Sequence, residues 1–247
     1  MSKKIFAANW KLNKTPEEAR EFIIEFKNQV FKIADFFEKK EIIIFPQSFS
    51  IEALSSLCGD SAIGFGPQNI YFEKSGAFTG ENSASVAKSL KCNYALVGHS
   101  ERRKIFKEQD DFLNKKTTLL QTLDLTPVFC IGETLDVRDA GKTLEVCFSQ
   151  LDSGLKNLDF SKRIIVAYEP VWAIGTGKVA TTEQVAEVHN EIYNHLKTKG
   201  LTDFQLLYGG SVKPENSQEL LNVKHVDGFL IGGAALQVDS FIKICGN

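Results

Sequence analysis

The sequence predicts an α/β protein folded as a single (β/α)8 barrel, with eight parallel strands inside an outer ring of helices. Three observations carry this expectation. Eight short β-rich runs recur at intervals of roughly 20–40 residues. Helical patterns lie between them, and no Pro/Ser/Gly-rich linker or low-complexity stretch divides residues 1–247. An open doubly wound sheet ordinarily carries a G-x-G-x-x-G turn after its first strand. Here that strand ends in Asn9-Trp10-Lys11, which favours the barrel.

The first run is Ile5–Trp10. Thr15-Pro16-Glu17-Glu18 then combines a capping box with proline at the first helical position, and Ala19, Phe22, Ile23, Phe26 and Val30 form the apolar stripe of the helix that follows. Strands two to four are Glu41–Phe45, Ala62–Gly66 and Tyr94–Gly98. Phe112, Lys116, Leu119, Leu120 and Leu123 mark the next clear helix, with one polar member in its stripe. Pro127–Ile131 and Arg163–Tyr168 are strands five and six. Thr181-Thr182-Glu183-Gln184 is a second capping box, opening a helix whose inner face is Val185, Val188, Ile192 and Leu196 and which ends at Gly200. Phe204–Tyr208 and Asp227–Ile231 complete the set. Several runs are apolar nearly throughout, as strands buried on both faces should be.

Lys and Arg number 29 against 31 Asp and Glu, a net charge of −2 that gives no support for a nucleic-acid or membrane-surface partner. The five cysteines are odd in number, widely spaced and without a C-x-x-C pair, so neither a disulfide framework nor a zinc site is expected. No run approaches the ~20 apolar residues of a membrane span, and the N-terminal segment has no signal-peptide core. A cytoplasmic location is expected.

Chemistry in a barrel gathers at the C-terminal strand ends. Strand one brings Asn9 and Lys11 there, strand four His99, strand six Glu169, strand seven Gly209-Gly210-Ser211 and strand eight Gly232-Gly233. Alone, Glu169 reads as a solvated turn carboxylate and each glycine turn as a tight connection. Together, two glycine turns after strands seven and eight make a cup of backbone N–H groups for a phosphate. His99 begins a helix start, whose dipole and burial are expected to keep the ring neutral; His189, His195 and His225 read as structural. Pro170–Lys178, with Gly175 and Gly177 near one end, reads as a hinged lid. A carboxylate base, a neutral imidazole, an ammonium and a phosphate cup suit proton abstraction beside a carbonyl, with no metal or cofactor required.

The blocks Asn9-Trp10-Lys11, Gly98–Arg103, Cys130–Thr134, Ala167–Lys178, Tyr208–Pro214 and Ile231–Ala234 run through nearly the whole chain in order. In them the sequence resembles the triosephosphate isomerase family, a standard worked case of barrel architecture, tuned pKa values and loop gating. The resemblance implies cofactor-free interconversion of dihydroxyacetone phosphate and glyceraldehyde 3-phosphate in glycolysis and gluconeogenesis. Glu169 would be the base, His99 the polarising and proton-moving group, and Lys11 the charge stabiliser, with Asn9 beside it. Gly175, Gly210, Ser211, Gly232 and Gly233 would hold the phosphate.

The resemblance further implies a homodimer through the loop 68–82, in which Thr79 approaches the partner's Asn9–Lys11 region and Glu81 pairs with the partner's Arg102. The sequence departs from the family's usual pattern at Asn82–Cys92, at Pro46-Gln47 where Pro-Pro is more usual, and at Ala235 where serine is common. Two other readings remain at this point. A Schiff-base aldolase with Lys11 as nucleophile would use the same barrel, and a non-catalytic phosphate-binding barrel would need no intact Asn9, Lys11, His99 and Glu169 set.

Overall fold

The computed structural model describes residues 3–175 and 178–246. The strands are β1 (Lys4–Asn9), β2 (Lys40–Phe45), β3 (Ile63–Phe65), β4 (Tyr94–Val97), β5 (Thr126–Ile131), β6 (Ile164–Tyr168), β7 (Phe204–Tyr208) and β8 (Gly228–Ile231). Around them lie α1 (Pro16–Val30), α2 (Phe36–Lys39), α3 (Ile51–Cys58), α4 (Ala84–Ser89), α5 (Ser100–Ile105), α6 (Asp110–Thr122), α7 (Leu135–Asp139), α8 (Thr143–Gly154), α9 (Thr182–Thr198), α10 (Pro214–Leu221) and α11 (Val238–Cys245). The sheet order is β3-β2-β1-β8-β7-β6-β5-β4, all parallel. The expected barrel is therefore the observed one, with strand edges within a residue of those read from the sequence.

The seam between β3 and β4 carries two hydrogen bonds, from Asn93 N–H to the Phe65 carbonyl (3.1 Å) and from Leu96 N–H to the Pro67 carbonyl (3.0 Å). Gly66 permits this approach. A Cβ on it would stand 1.7 Å from the Tyr94 carbonyl oxygen, so any side chain would push the two strands apart.

Alternation along the strands divides the apolar residues into two cores. Ile5, Ala7, Ile43, Phe45, Leu96, Val128, Cys130, Ile165, Ala167, Leu207 and Leu230 fill the barrel interior. Phe6, Ala8, Ile42, Ile44, Val166 and Phe229 face outward to the helices. Burial on both faces is why these strands lack a polar side. Both capping boxes form: Thr15 with Glu18 and Thr181 with Gln184. Gly200 lies just past α9 with φ of +88°.

One helix differs from its expected face. In α6 the buried positions include Leu113, Lys116, Thr117 and Leu120, while Phe112 is only half-buried and packs on Tyr71 and Phe72 of the loop 68–82. Lys116 is buried because its ammonium meets Asn69 Oδ1 at 2.6 Å and Glu108 Oε1 at 2.7 Å. Burial lowers its pKa against the pull of Glu108.

The N-terminal end of the barrel is closed by charge. Glu41 Oε1 accepts from the Tyr94 hydroxyl (2.6 Å) and Arg163 Nη1 (2.9 Å), and its Oε2 accepts from Arg163 Nη2 (2.8 Å). Arg163 Nε also donates to Gln205 Oε1 at 2.7 Å. Burial disfavours the Glu41 carboxylate, but Arg163 and Tyr94 outweigh it and hold the pKa below the ordinary value. A depressed acid pKa contributes stability that is present above the unfolded value of ~4.3 and lost as pH falls through the folded one. Glu41→Gln is therefore expected to lower the melting temperature by about 4–8 °C at neutral pH, corresponding to about 2 kcal/mol for breaking a half-buried pair. The difference should shrink in calorimetry below pH 4; a constant difference down to pH 3 would contradict this assignment.

Candidate active site

At the opposite end, the C-terminal strand ends surround a cavity of about 260 Å³ whose walls include Asn9, Lys11, His99, Glu169, Gly175, Gly210, Ser211, Gly232 and Gly233. Every residue expected at the mouth is thus brought to it.

Glu169 leaves β6 buried at 2% exposure. Gly209 at the end of β7 makes room, since a Cβ there would lie 2.9 Å from Glu169 Cγ. The carboxylate is held on both oxygens. Oε2 accepts the Ser100 N–H at the start of α5 (2.8 Å), and Oε1 lies 2.9 Å from His99 Nε2. His99 is placed by Gly98, whose φ of +73° turns the chain out of β4. Arg103 bonds the Gly98 carbonyl (2.8 Å) and the Cys130 carbonyl (3.0 Å), tying the ends of β4 and β5 together.

His99 Nδ1 accepts the Glu101 N–H at 3.2 Å. From these heavy-atom partners the neutral ring carries its proton on Nε2, facing Glu169. The expected direction of the His99 pKa needs correction. Burial does lower it, but the adjacent Glu169 carboxylate raises it more, and the net shift is upward in this conformation.

Lys11 is reached through an unusual backbone, with φ of +52°. Asn9 Oδ1 accepts its N–H (3.1 Å), and Gln68 Nε2 donates to its carbonyl (2.8 Å) and to that of Phe45 (2.9 Å). The Lys11 ammonium sits 2.6 Å from Glu101 Oε1. Gln47, a departure from the family's usual proline, donates to the Lys14 carbonyl at 2.9 Å and so joins the turns after β1 and β2.

On the phosphate side, the backbone N–H groups of Ser211 and Gly233 make no internal hydrogen bond among the described residues. The Ser211 hydroxyl donates to the Ala173 carbonyl of the lid segment at 2.6 Å. That segment begins with Pro170 and a 3-10 turn, Val171–Ala173. Thr176 and Gly177, part of the expected lid Pro170–Lys178, lie outside the described residues.

The family model for triosephosphate isomerase matches residues 4–247. Curated triosephosphate isomerases align over nearly the full length of both chains. That of Bdellovibrio bacteriovorus is 52% identical over 98% of each chain, that of Dictyoglomus turgidum 43% over 99% of each, and that of Aquifex aeolicus 39% over 98% of each. The chain belongs to the triosephosphate isomerase family. Members of this family interconvert dihydroxyacetone phosphate and glyceraldehyde 3-phosphate in glycolysis.

Glu133 has a part in the site that sequence reasoning missed. Buried at the end of β5, its Oε1 accepts from Trp172 Nε1 (2.9 Å) and the Tyr168 hydroxyl (3.1 Å), with Arg138 Nη1 at 3.4 Å. Its carbonyl accepts the Val171 N–H at 3.1 Å. It anchors the first turn of the lid segment. The signal was available: Glu133 is a second strand-end carboxylate following glycine.

Because the Glu169 carboxylate is the main influence raising the His99 pKa, Glu169→Gln leaves burial and the Lys11 ammonium, which both lower it, opposed only by Glu101. Nitrogen-15 NMR of the labelled ring should show its titration midpoint move to lower pH in the variant. An unchanged or higher midpoint would mean that the pair is not coupled as the geometry indicates.

Proposed function

We propose that this chain interconverts dihydroxyacetone phosphate and D-glyceraldehyde 3-phosphate by proton transfer through an enediolate, with residues 1–247 acting as one domain. The observation that carries this reading is the buried Glu169–His99 contact of 2.9 Å at the barrel mouth, beside the Lys11 ammonium and facing two glycine turns.

Glu169 removes a proton from the carbon next to the carbonyl, and the electron pair left behind moves onto the carbonyl oxygen. His99 Nε2–H donates a hydrogen bond to that oxygen, and the Lys11 ammonium offsets its developing charge, with Asn9 fixing the Lys11 backbone. Glu169, now protonated, returns the proton to the neighbouring carbon while His99 relays a proton between the two oxygens. For this the carboxylate must leave Ser100 and His99 for the substrate. Its departure removes the charge that raises the His99 pKa, so the ring meets the substrate neutral. Backbone N–H groups at Gly175, Gly210, Ser211, Gly232 and Gly233 hold the phosphate, and the lid excludes water from the enediolate.

A homodimer through the loop 68–82 is part of the proposal. Tyr71, Phe72 and Phe78 stack into one cluster, with centroid separations of 4.3 Å and 4.4 Å from Tyr71, yet residues 73–81 are exposed. Leu12 and Phe49, which follow β1 and β2, are 89% and 87% exposed. Apolar side chains so exposed in adjacent sectors favour a second copy covering them. A cytoplasmic location accompanies this reading; among the described residues no helix is long and apolar enough to cross a membrane.

A coupled isomerisation assay on EDTA-treated protein is expected to show robust turnover, and none at all would refute the reading. Glu169→Asp withdraws the carboxylate by about 1 Å and should lower kcat ~10²-fold or more with KM changed little. Near-normal kcat would remove Glu169 as the base. Replacing Phe72–Thr79 by a short polar turn should give monomers with much reduced kcat in sedimentation and assay, and a fully active wild-type monomer would sink the dimer proposal.

A further inference from the structure

The cavity wall holds one more cation than the family resemblance assigns. Lys213 lies two residues beyond Ser211 and lines the same cavity as Gly210 and Gly233. Its root is fixed to the phosphate cup by Asn216. The Asn216 Oδ1 accepts the Lys213 N–H at 2.8 Å, and its Nδ2 donates to the Ser211 carbonyl at 3.0 Å. The side chain itself is exposed, and among the described residues it has no carboxylate partner.

The charge at the mouth gives this lysine a task. Lys11 is neutralised by Glu101 at 2.6 Å, while Glu169 adds a buried negative charge with only His99 and a backbone N–H for company. The groups turned toward the phosphate position are neutral amides and one hydroxyl. A phosphate dianion must therefore enter beside a buried carboxylate, with the Lys11 ammonium already paired to Glu101. Neutral N–H donors orient an anion but do little to attract it over distance, whereas a free ammonium does so within the screening length of about 10 Å.

Resting on the isomerase reading given above, we propose that Lys213 is a substrate-binding residue that attracts and helps hold the dianionic phosphate of the triose, by charge, without touching the reacting carbons. An exposed ammonium on a flexible stem acts through a screened field, so its influence falls on capture of the substrate and declines as salt rises.

The test is Lys213→Met beside Lys213→Arg, measured for steady-state isomerisation across ionic strength and for binding of inorganic phosphate by titration calorimetry. For Lys213→Met, KM and the dissociation constant for phosphate should each rise about three- to tenfold at low salt, with kcat unchanged. The dependence of kcat/KM on ionic strength should flatten, and Lys213→Arg should restore all three. Unchanged phosphate binding and an unchanged salt slope would overturn the proposal, as would a fall in kcat at constant KM, which would mark a structural role at the start of α10. The phosphate titration needs no turnover, so it decides on Lys213 even if the wild-type protein fails the isomerisation assay.

Discussion

Both oxygens of Glu169 are engaged, one by the Ser100 N–H and one by His99, and the layout of the mouth follows from that double hold. A buried carboxylate is stable only where donors replace its lost hydration. The start of α5 supplies one, with the positive end of its dipole added. The Nε2–H of His99 supplies the other, and the ring presents that proton because Nδ1 is occupied by the Glu101 N–H. Glu101 in turn holds Lys11. Base, imidazole and ammonium are therefore linked through the first two residues of one short helix, although they arise from β6, β4 and β1.

The barrel makes this linkage possible by keeping those strand ends in register. Bulky residues fill its interior, Glu41 and Arg163 pin its far end, and small residues stand where Glu169 needs space. Gly209 leaves room beside the Glu169 stem, and a Cβ on Gly132 would fall 1.8 Å from the Glu169 carbonyl oxygen. Preorganisation of this kind places the cost of orientation in folding, so little remains to be met at the chemical step.

Much of this was legible in the sequence because it depends on local pattern. Strand burial shows as unbroken apolar runs, helix starts as capping boxes, and strand-end chemistry as polar or glycine residues directly after an apolar run. What was not legible depends on pairs distant along the chain. The face of α6 was misplaced at Phe112 because Tyr71 and Phe72, some forty residues earlier, draw that ring outward while Asn69 and Glu108 draw Lys116 in. The direction of the His99 pKa was misread because helix position and burial are local, whereas the deciding charge lies seventy residues away on Glu169. Glu133 was visible as a strand-end carboxylate, but its task was not, because its partners, Tyr168 and Trp172, come from the next strand and the lid.

The central claim is that one carboxylate, Glu169, carries a carbon-bound proton across the substrate. Conversion of dihydroxyacetone phosphate in D2O, followed by proton NMR of the product, tests it most directly. The account predicts that part of the product keeps the hydrogen taken from the substrate and the rest carries deuterium at the carbon that receives the proton, according to how often the protonated carboxylate exchanges before it returns its proton, and that both exchange and conversion are lost in Glu169→Gln. Conversion and exchange that persist undiminished in Glu169→Gln would contradict it.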